Sequence, residues 1–151
     1  VNDPAGTPPE QPVNVLAESL PRLVTCSYTG YRRDMGTAVR TSLGAPRFIT
    51  LPNPQWSTYS RWPYIAELAP RQDYMKAPYD TFRARYLDQL DTWSADILRK
   101  LTWIPAEHGA LCLLCFEKAP LTTANWCHRR LTAEWFQTRY GITVPEMDVR
   151  R

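Results

Sequence analysis

Ala110-Leu111-Cys112-Leu113-Leu114-Cys115-Phe116 is the stretch whose reading decides the fold. Its side chains are apolar on both alternating parities, so either side of an extended segment would be equally averse to water. That is the pattern of a strand covered on both faces, as in the middle of a parallel sheet with helices packed above and below. The run is the longest apolar one in the chain and falls far short of the roughly 20 residues a helix needs to cross a bilayer. It reads as the centre of a sheet.

Downstream, a loop over Glu117–Asn125 leads to Leu131, Trp135 and Thr138, with Phe136 and Tyr140 beside them. This periodicity predicts an amphipathic helix that opens at Cys127-His128-Arg129-Arg130 and closes on Gly141 as its cap. Ile142-Thr143-Val144 then reads as a last strand, and strand, helix, strand in that order implies a right-handed parallel crossover.

Upstream, Phe82, Tyr86, Leu90, Trp93, Ile97, Leu101 and Ile104 recur at three- and four-residue steps. They form one helical stripe bounded by Pro78 and Pro105, with a break near Ser94 allowed by the pattern. Tyr64-Ile65-Ala66-Glu67-Leu68 reads as a short strand before Pro70. Ala38–Leu43 is a short strand or an extended loop, and Arg22–Tyr28 is a first strand rich in β-branched and aromatic residues. A turn of helix over Val13–Ser19 precedes it.

The fold expected is therefore α/β: a single compact domain over residues 13–151 with a mostly parallel central sheet flanked by helices. Residues 1–12 carry Pro4, Pro8, Pro9 and Pro12 without hydrophobic periodicity, which reads as a disordered tail. A length of 151 residues suits one domain, burying about 70% of the surface of the unfolded chain.

Charge and cysteine usage narrow the function. The formal charge is only +3, but Arg22, Arg32, Arg33, Arg40 and Arg47 face a lone Asp34 between Leu20 and Thr50. That segment carries a local positive field, which serves phosphate groups, nucleic acid or simply solubility. Four cysteines without a charged-then-apolar leader point to free thiols in a reducing, cytoplasmic setting. No glycine-rich phosphate loop and no Gly-x-Ser-x-Gly elbow occurs, so no cofactor of those classes is expected.

The residues that could carry chemistry gather between Cys115 and Arg130. In open α/β sheets, ligands bind beyond the carboxyl ends of the strands, where helix N-termini present unpaired N–H groups. Cys115 and Glu117 end the central strand; Cys127, His128, Arg129 and Arg130 form the first turn of the next helix. Cys127 is the candidate reactive thiol, at a helix N-terminus beside His and Arg, or else an inert buried one. His128 is a general base or a structural partner. Glu117 is an acid or base, or it pairs with Arg129, the preferred reading. Zinc is not expected: Cys112 and Cys115, three apart in a strand, point to opposite faces and cannot share a tetrahedral ion.

Leu113-Leu114-Cys115-Phe116-Glu117 followed by Cys127-His128-Arg129-Arg130-Leu131 and Ala133-Glu134-Trp135 resembles the domain of unknown function 488 family. Val39–Phe48 and Leu68-Ala69-Pro70 resemble its actinobacterial and phage branch. The likeness runs in order from Leu23 to Pro145. It implies a compact α/β domain with the Cys-x-Glu and Cys-His-Arg motifs facing one cleft, and it brings no known reaction. Many members have Asp-Val-Arg after the first strand, where this chain reads Tyr28-Thr29-Gly30-Tyr31-Arg32-Arg33.

Two readings follow. In the first, a nucleotide or other phosphorylated ligand lies on Arg129, Arg130 and the helix N-terminus near Cys115, with Arg40 or Arg47 closing over it and Tyr28 and Tyr31 stacking on a base; thiol chemistry at Cys127 is a separate addition. In the second, the arginines form a surface track for nucleic acid without catalysis.

Overall fold

The computed structural model describes residues 13–43, 62–117 and 126–148. Arg47 and the tail over residues 1–12 lie outside them. The described elements are α1 (Val13–Glu18), β1 (Arg22–Ser27), β2 (Thr37–Arg40), α2 (Tyr79–Thr92), α3 (Ser94–Trp103), β3 (Ala110–Cys115) and α4 (His128–Tyr140), with 3-10 turns at Arg33–Met35, Ala66–Leu68 and Glu107–Gly109. The fold is α/β, with a three-stranded parallel sheet in the order β1-β3-β2.

β3 is the central strand, and all six of its residues are buried. Its two parities enter different cores. Leu111 and Leu113 pack with Leu23, Val39 and the apolar faces of the α-helices, including Leu90, Leu101 and Phe136. Cys112 and Leu114 face the other way, into a smaller cluster with Tyr28, Tyr31 and Met35. Among the described residues this second face is covered by loops and a 3-10 turn, where helices were expected. Buried tyrosines replace a helix there because their hydroxyls find partners: Tyr28 bonds Ser42 Oγ at 2.7 Å, and Tyr31 donates to the Gly36 carbonyl at 2.7 Å.

The long helical stripe is split. Trp93 adopts φ −106°, ψ 19° and ends α2 as it begins α3. Phe82, Tyr86, Leu90, Ile97 and Leu101 stay buried on both sides of the break, whereas Trp93 itself is 37% exposed.

Two expected strands are not regular strands. At 64–68, a single bridge joins Tyr64 to Arg40, and the chain then winds into the Ala66–Leu68 turn. Ile65 and Leu68 are the buried pair, and a spacing of three suits a 3-10 turn, not alternation. At 142–144, Ile142 and Val144 pack on the helical core, and strand pairing starts later. The Thr25 N–H donates to the Pro145 carbonyl at 2.9 Å and the Met147 N–H to the Thr25 carbonyl at 2.7 Å, giving one parallel bridge between Thr25 and Glu146. The anticipated crossover thus ends in a bridge, in the expected direction but two residues late.

Candidate functional site

β3 and α4 converge where the sequence places them. Cys115 is the last residue of β3 and Cys127 is the N-cap of α4, in extended conformation at φ −137°, ψ 145°. Their Cα atoms are 7.4 Å apart and their sulfurs are joined as a disulfide. This corrects the expectation of four free thiols. The separation of twelve residues in sequence hides a meeting that only the strand-to-helix return creates. Cys26 and Cys112 are the free cysteines, and both are buried. Burial pushes the Cys26 thiol up to about 12 and Cys112 well above its ordinary value, so both remain protonated and unreactive near neutral pH.

His128, the first residue of α4, completes the cluster. Its Nε2 lies 2.7 Å from the Thr41 carbonyl, which only accepts, so Nε2 carries the proton and Nδ1 is left as a bare lone pair. Nδ1 sits 3.7 Å from Cys127 Sγ. Burial first, with the nearby Arg129 charge, lowers the imidazole to about 4, so it is neutral at ordinary pH. The Tyr86 ring packs edge-on against it at 5.5 Å, fixing its plane. The donor atoms of Cys115, Cys127 and His128 all lie within 4.8 Å of one another.

Above this cluster is a cleft of about 420 Å³. It is lined by Cys127 and His128, by the aromatic rings of Phe82, Phe116 and Trp126, by Met75, Pro70 and Leu43, and by Ser42 and Glu117 as further polar groups. Trp126 is held by Phe82 at 4.5 Å and Tyr79 at 5.5 Å between ring centres. An apolar hollow with a few convergent polar groups is the usual form of a small-molecule site. A second hollow of about 450 Å³, lined by residues such as Tyr64, Arg71 and Trp93, has no cysteine or histidine among its described lining residues.

Of the residues anticipated as an anion cradle, Arg129 is committed to partners within the chain. Arg129 is fully buried, and its guanidinium is a fork on Glu146, Nε to Oε1 at 2.8 Å and Nη2 to Oε2 at 3.0 Å. Its Nη1 donates to Cys115 Sγ at 3.1 Å and to the Glu117 carbonyl, and Asp148 lies 3.8 Å from Nη2. Arg130 donates to Thr25 Oγ1 at 3.0 Å and to the Val144 carbonyl at 2.9 Å. Both arginines thus pin the 144–148 segment to α4; the Arg129 fork is fully committed, whereas Arg130 uses Nη1 alone and keeps 37% of its side chain exposed. The expected Glu117–Arg129 pair is corrected too: Glu117 gives its backbone oxygen, while its side chain lines the cleft, Oε2 3.9 Å from Cys115 Sγ.

Tyr28 and Tyr31 are buried at 0% and 4% exposure and have no face for a base. Arg40 stacks on Tyr64 at 5.1 Å, and among the described lining residues of the cleft there is no lysine or arginine. Of the basic stretch, Arg22, Arg32 and Arg33 are exposed.

The sequence reading missed Glu146, Asp148, Thr41 and the aromatic walls. Thr41 and Glu146 act through contacts 87 and 17 residues away in sequence; no motif spacing announces such pairs. Cys112 faces the opposite side of β3 from Leu111 and Leu113, so the pair Cys112 and Cys115 does not share an ion, as expected from their spacing. That restriction does not bear on the set formed by Cys115, Cys127 and His128.

One family model, described as "Domain of unknown function DUF488", matches residues 52–136. Searches of curated proteins and of solved structures returned no match.

Proposed function

For a chain that belongs to the DUF488 family, we propose thiol–disulfide chemistry at the cleft, with Cys127 as the attacking sulfur, Cys115 as the resolving sulfur and His128 as the neighbour whose Nδ1 orients the Cys127 thiol as a hydrogen-bond acceptor. The observation that carries this reading is the meeting of the two sulfurs beneath an open cleft, with the bare His128 Nδ1 3.7 Å from one of them.

The two cysteines are not equivalent. Cys127 lines the cleft and caps a helix whose N-terminal dipole favours a thiolate. Cys115 sits behind it, fully buried, with the Arg129 N–H donating to its sulfur. In the reduced protein, the Cys127 thiol gives up its proton to water in the cleft, and the thiolate attacks one sulfur of a bound disulfide. A mixed disulfide forms and the first thiolate leaves. Cys115 then attacks Cys127 Sγ, expelling the second thiolate and closing the Cys115–Cys127 bond. The substrate disulfide gains two electrons and the protein dithiol loses two.

The lining selects for a ligand with an uncharged, apolar or aromatic body, since the walls are aromatic and no described cation faces the cleft. Among the described lining residues a phosphorylated ligand finds no cationic partner, so the reading rests on sulfur and not on phosphate.

Reduced protein mixed with an aromatic disulfide tests it. Wild type should release two aromatic thiols per chain and end with Cys115 bonded to Cys127. Cys115→Ser should release one and retain the other as an adduct on Cys127, visible by mass. Cys127→Ser should release none at a comparable rate. Equal rates for wild type and Cys127→Ser, or for folded and urea-unfolded protein, would remove the proposal.

A further inference from the structure

We propose that the reduced form of this cluster is a metal site: Cys115 Sγ, Cys127 Sγ and His128 Nδ1 hold one zinc-class divalent ion, whose fourth position opens into the cleft. The inference is separate from disulfide exchange, although it uses the same three side chains, and either can fail without the other.

The distances fit. Zinc binds thiolate sulfur at about 2.3 Å and imidazole nitrogen at about 2.0–2.1 Å in a tetrahedral arrangement, which sets a sulfur and a nitrogen ligand roughly 3.6 Å apart. Cys127 Sγ and His128 Nδ1 are 3.7 Å apart. Two thiolates on one such ion stand roughly 3.8 Å apart by the same geometry. With Cα atoms 7.4 Å apart, Cys115 and Cys127 have room to hold their sulfurs at that spacing once the bond between them is reduced.

The surroundings fit as well. A histidine that ligates zinc almost always donates its other ring N–H to a carbonyl or carboxylate, which fixes the tautomer. His128 does so at the Thr41 carbonyl, 2.7 Å away, leaving Nδ1 as the atom turned toward the sulfurs. Cys115 Sγ receives an N–H from Arg129 at 3.1 Å, a bond that suits a thiolate. The Arg129 charge is itself matched by Glu146 and Asp148, so two thiolates and a divalent ion add no net charge to the buried cluster. Soft sulfur with imidazole selects zinc-like ions over magnesium or calcium.

Three protein ligands with an open fourth position are the arrangement of zinc sites that bind a water or substrate atom, whereas purely structural sites are closed by a fourth residue. Cys127 and His128 both line the cleft, with Glu117 beside them, so the vacant coordination position and the ligand pocket coincide. The disulfide and the ion exclude one another, because a sulfur committed to the S–S bond is no longer a thiolate ligand.

Anaerobic titration of the reduced full chain with cobalt(II) tests the site. The expected result is one equivalent bound, with intense tetrahedral d–d bands and a thiolate-to-metal charge-transfer band. One equivalent of zinc should abolish both, and azide should shift the d–d bands. Cys26→Ser and Cys112→Ser should bind normally. Cys127→Ser and His128→Ala should bind at least tenfold more weakly, with circular dichroism reporting whether each variant is folded. Protein oxidised to the Cys115–Cys127 disulfide should bind none. Absence of the bands in reduced, folded wild type, or their persistence in folded Cys127→Ser, overturns the site. A spectrum indifferent to azide overturns the open position. Disulfide exchange without cobalt binding would remove the metal and leave the exchange reading intact.

Discussion

Arg129 has no exposed surface, and its charge is answered by the Glu146 fork and by Asp148 at 3.8 Å. Truncating one member of a buried pair leaves the other charge desolvated and alone, a loss of about 3–5 kcal/mol. Because Glu146 keeps 19% of its side-chain surface in water, the lower end applies. Arg129→Ala should therefore lower the urea midpoint of the reduced and oxidised protein alike by an amount equivalent to about 3 kcal/mol. If it instead left the midpoint within about 0.5 kcal/mol of wild type, as surface changes do, the arginine would be available to ligands after all. The Cys-His-Arg run was legible as a site because three chemically active residues open one helix. What Arg129 does there was not legible, since its partner Glu146 lies in a segment without periodicity, beyond the helix cap. Cys127 and Cys115 were each singled out, yet their union depends on the distance between a strand end and a helix start, which is a property of packing.

At the scale of elements, helical periodicity located α4 and the long stripe, β-branched and aromatic content located β1, and apolar residues on both parities located β3, which is buried on both faces. Patterning failed where one or two buried residues do the work of an element: the Ile65–Leu68 pair looks extended in sequence, and Pro145 starts the last pairing only through its carbonyl. Glycines separate the two kinds of junction. Gly141 ends α4 at φ 66°, ψ 22°, and a Cβ built there meets nothing within 4 Å. Gly36 leads into β2 at φ 125°, and a Cβ there would fall 2.5 Å from the Ala110 carbonyl oxygen, at the start of β3. Gly141→Ala should cost about 1–2 kcal/mol, the penalty of a left-handed alanine alone. Gly36→Ala adds a backbone collision to a dihedral penalty of about 1–3 kcal/mol, because its φ and ψ lie in a region open essentially to glycine alone, and overpacking of that kind costs about 1–3 kcal/mol more. Thermal melts of the two variants should rank Gly36→Ala clearly below Gly141→Ala. Equal melting points would mean that β2 and β3 can part without loss.

Across the whole molecule, the second face of the sheet has a distinctive composition: where helices would bring leucines, it holds Tyr28, Tyr31, Cys26 and Cys112. Among the described residues no helix is long and apolar enough to cross a membrane. Burial pushes the Cys26 thiol and the Tyr31 phenol each up to about 12 and raises Tyr28 and Cys112 as well. In the unfolded chain the same thiols release protons near 9.0 and the phenols near 10.0. Between those values and the raised ones, the unfolded state has lost protons that the folded state keeps, so rising pH favours unfolding. Stability contributed by these groups is fully present below about pH 9 and is lost as the pH climbs toward about 12. Urea midpoints should be level from neutral pH to about 9 and fall steadily above it. Tyr31→Phe should flatten part of that fall, at the cost of about 1 kcal/mol for its hydrogen bond to the Gly36 carbonyl. A midpoint that held steady well above pH 10 would mean that these groups ionise in place, and with it that the second face is open to water.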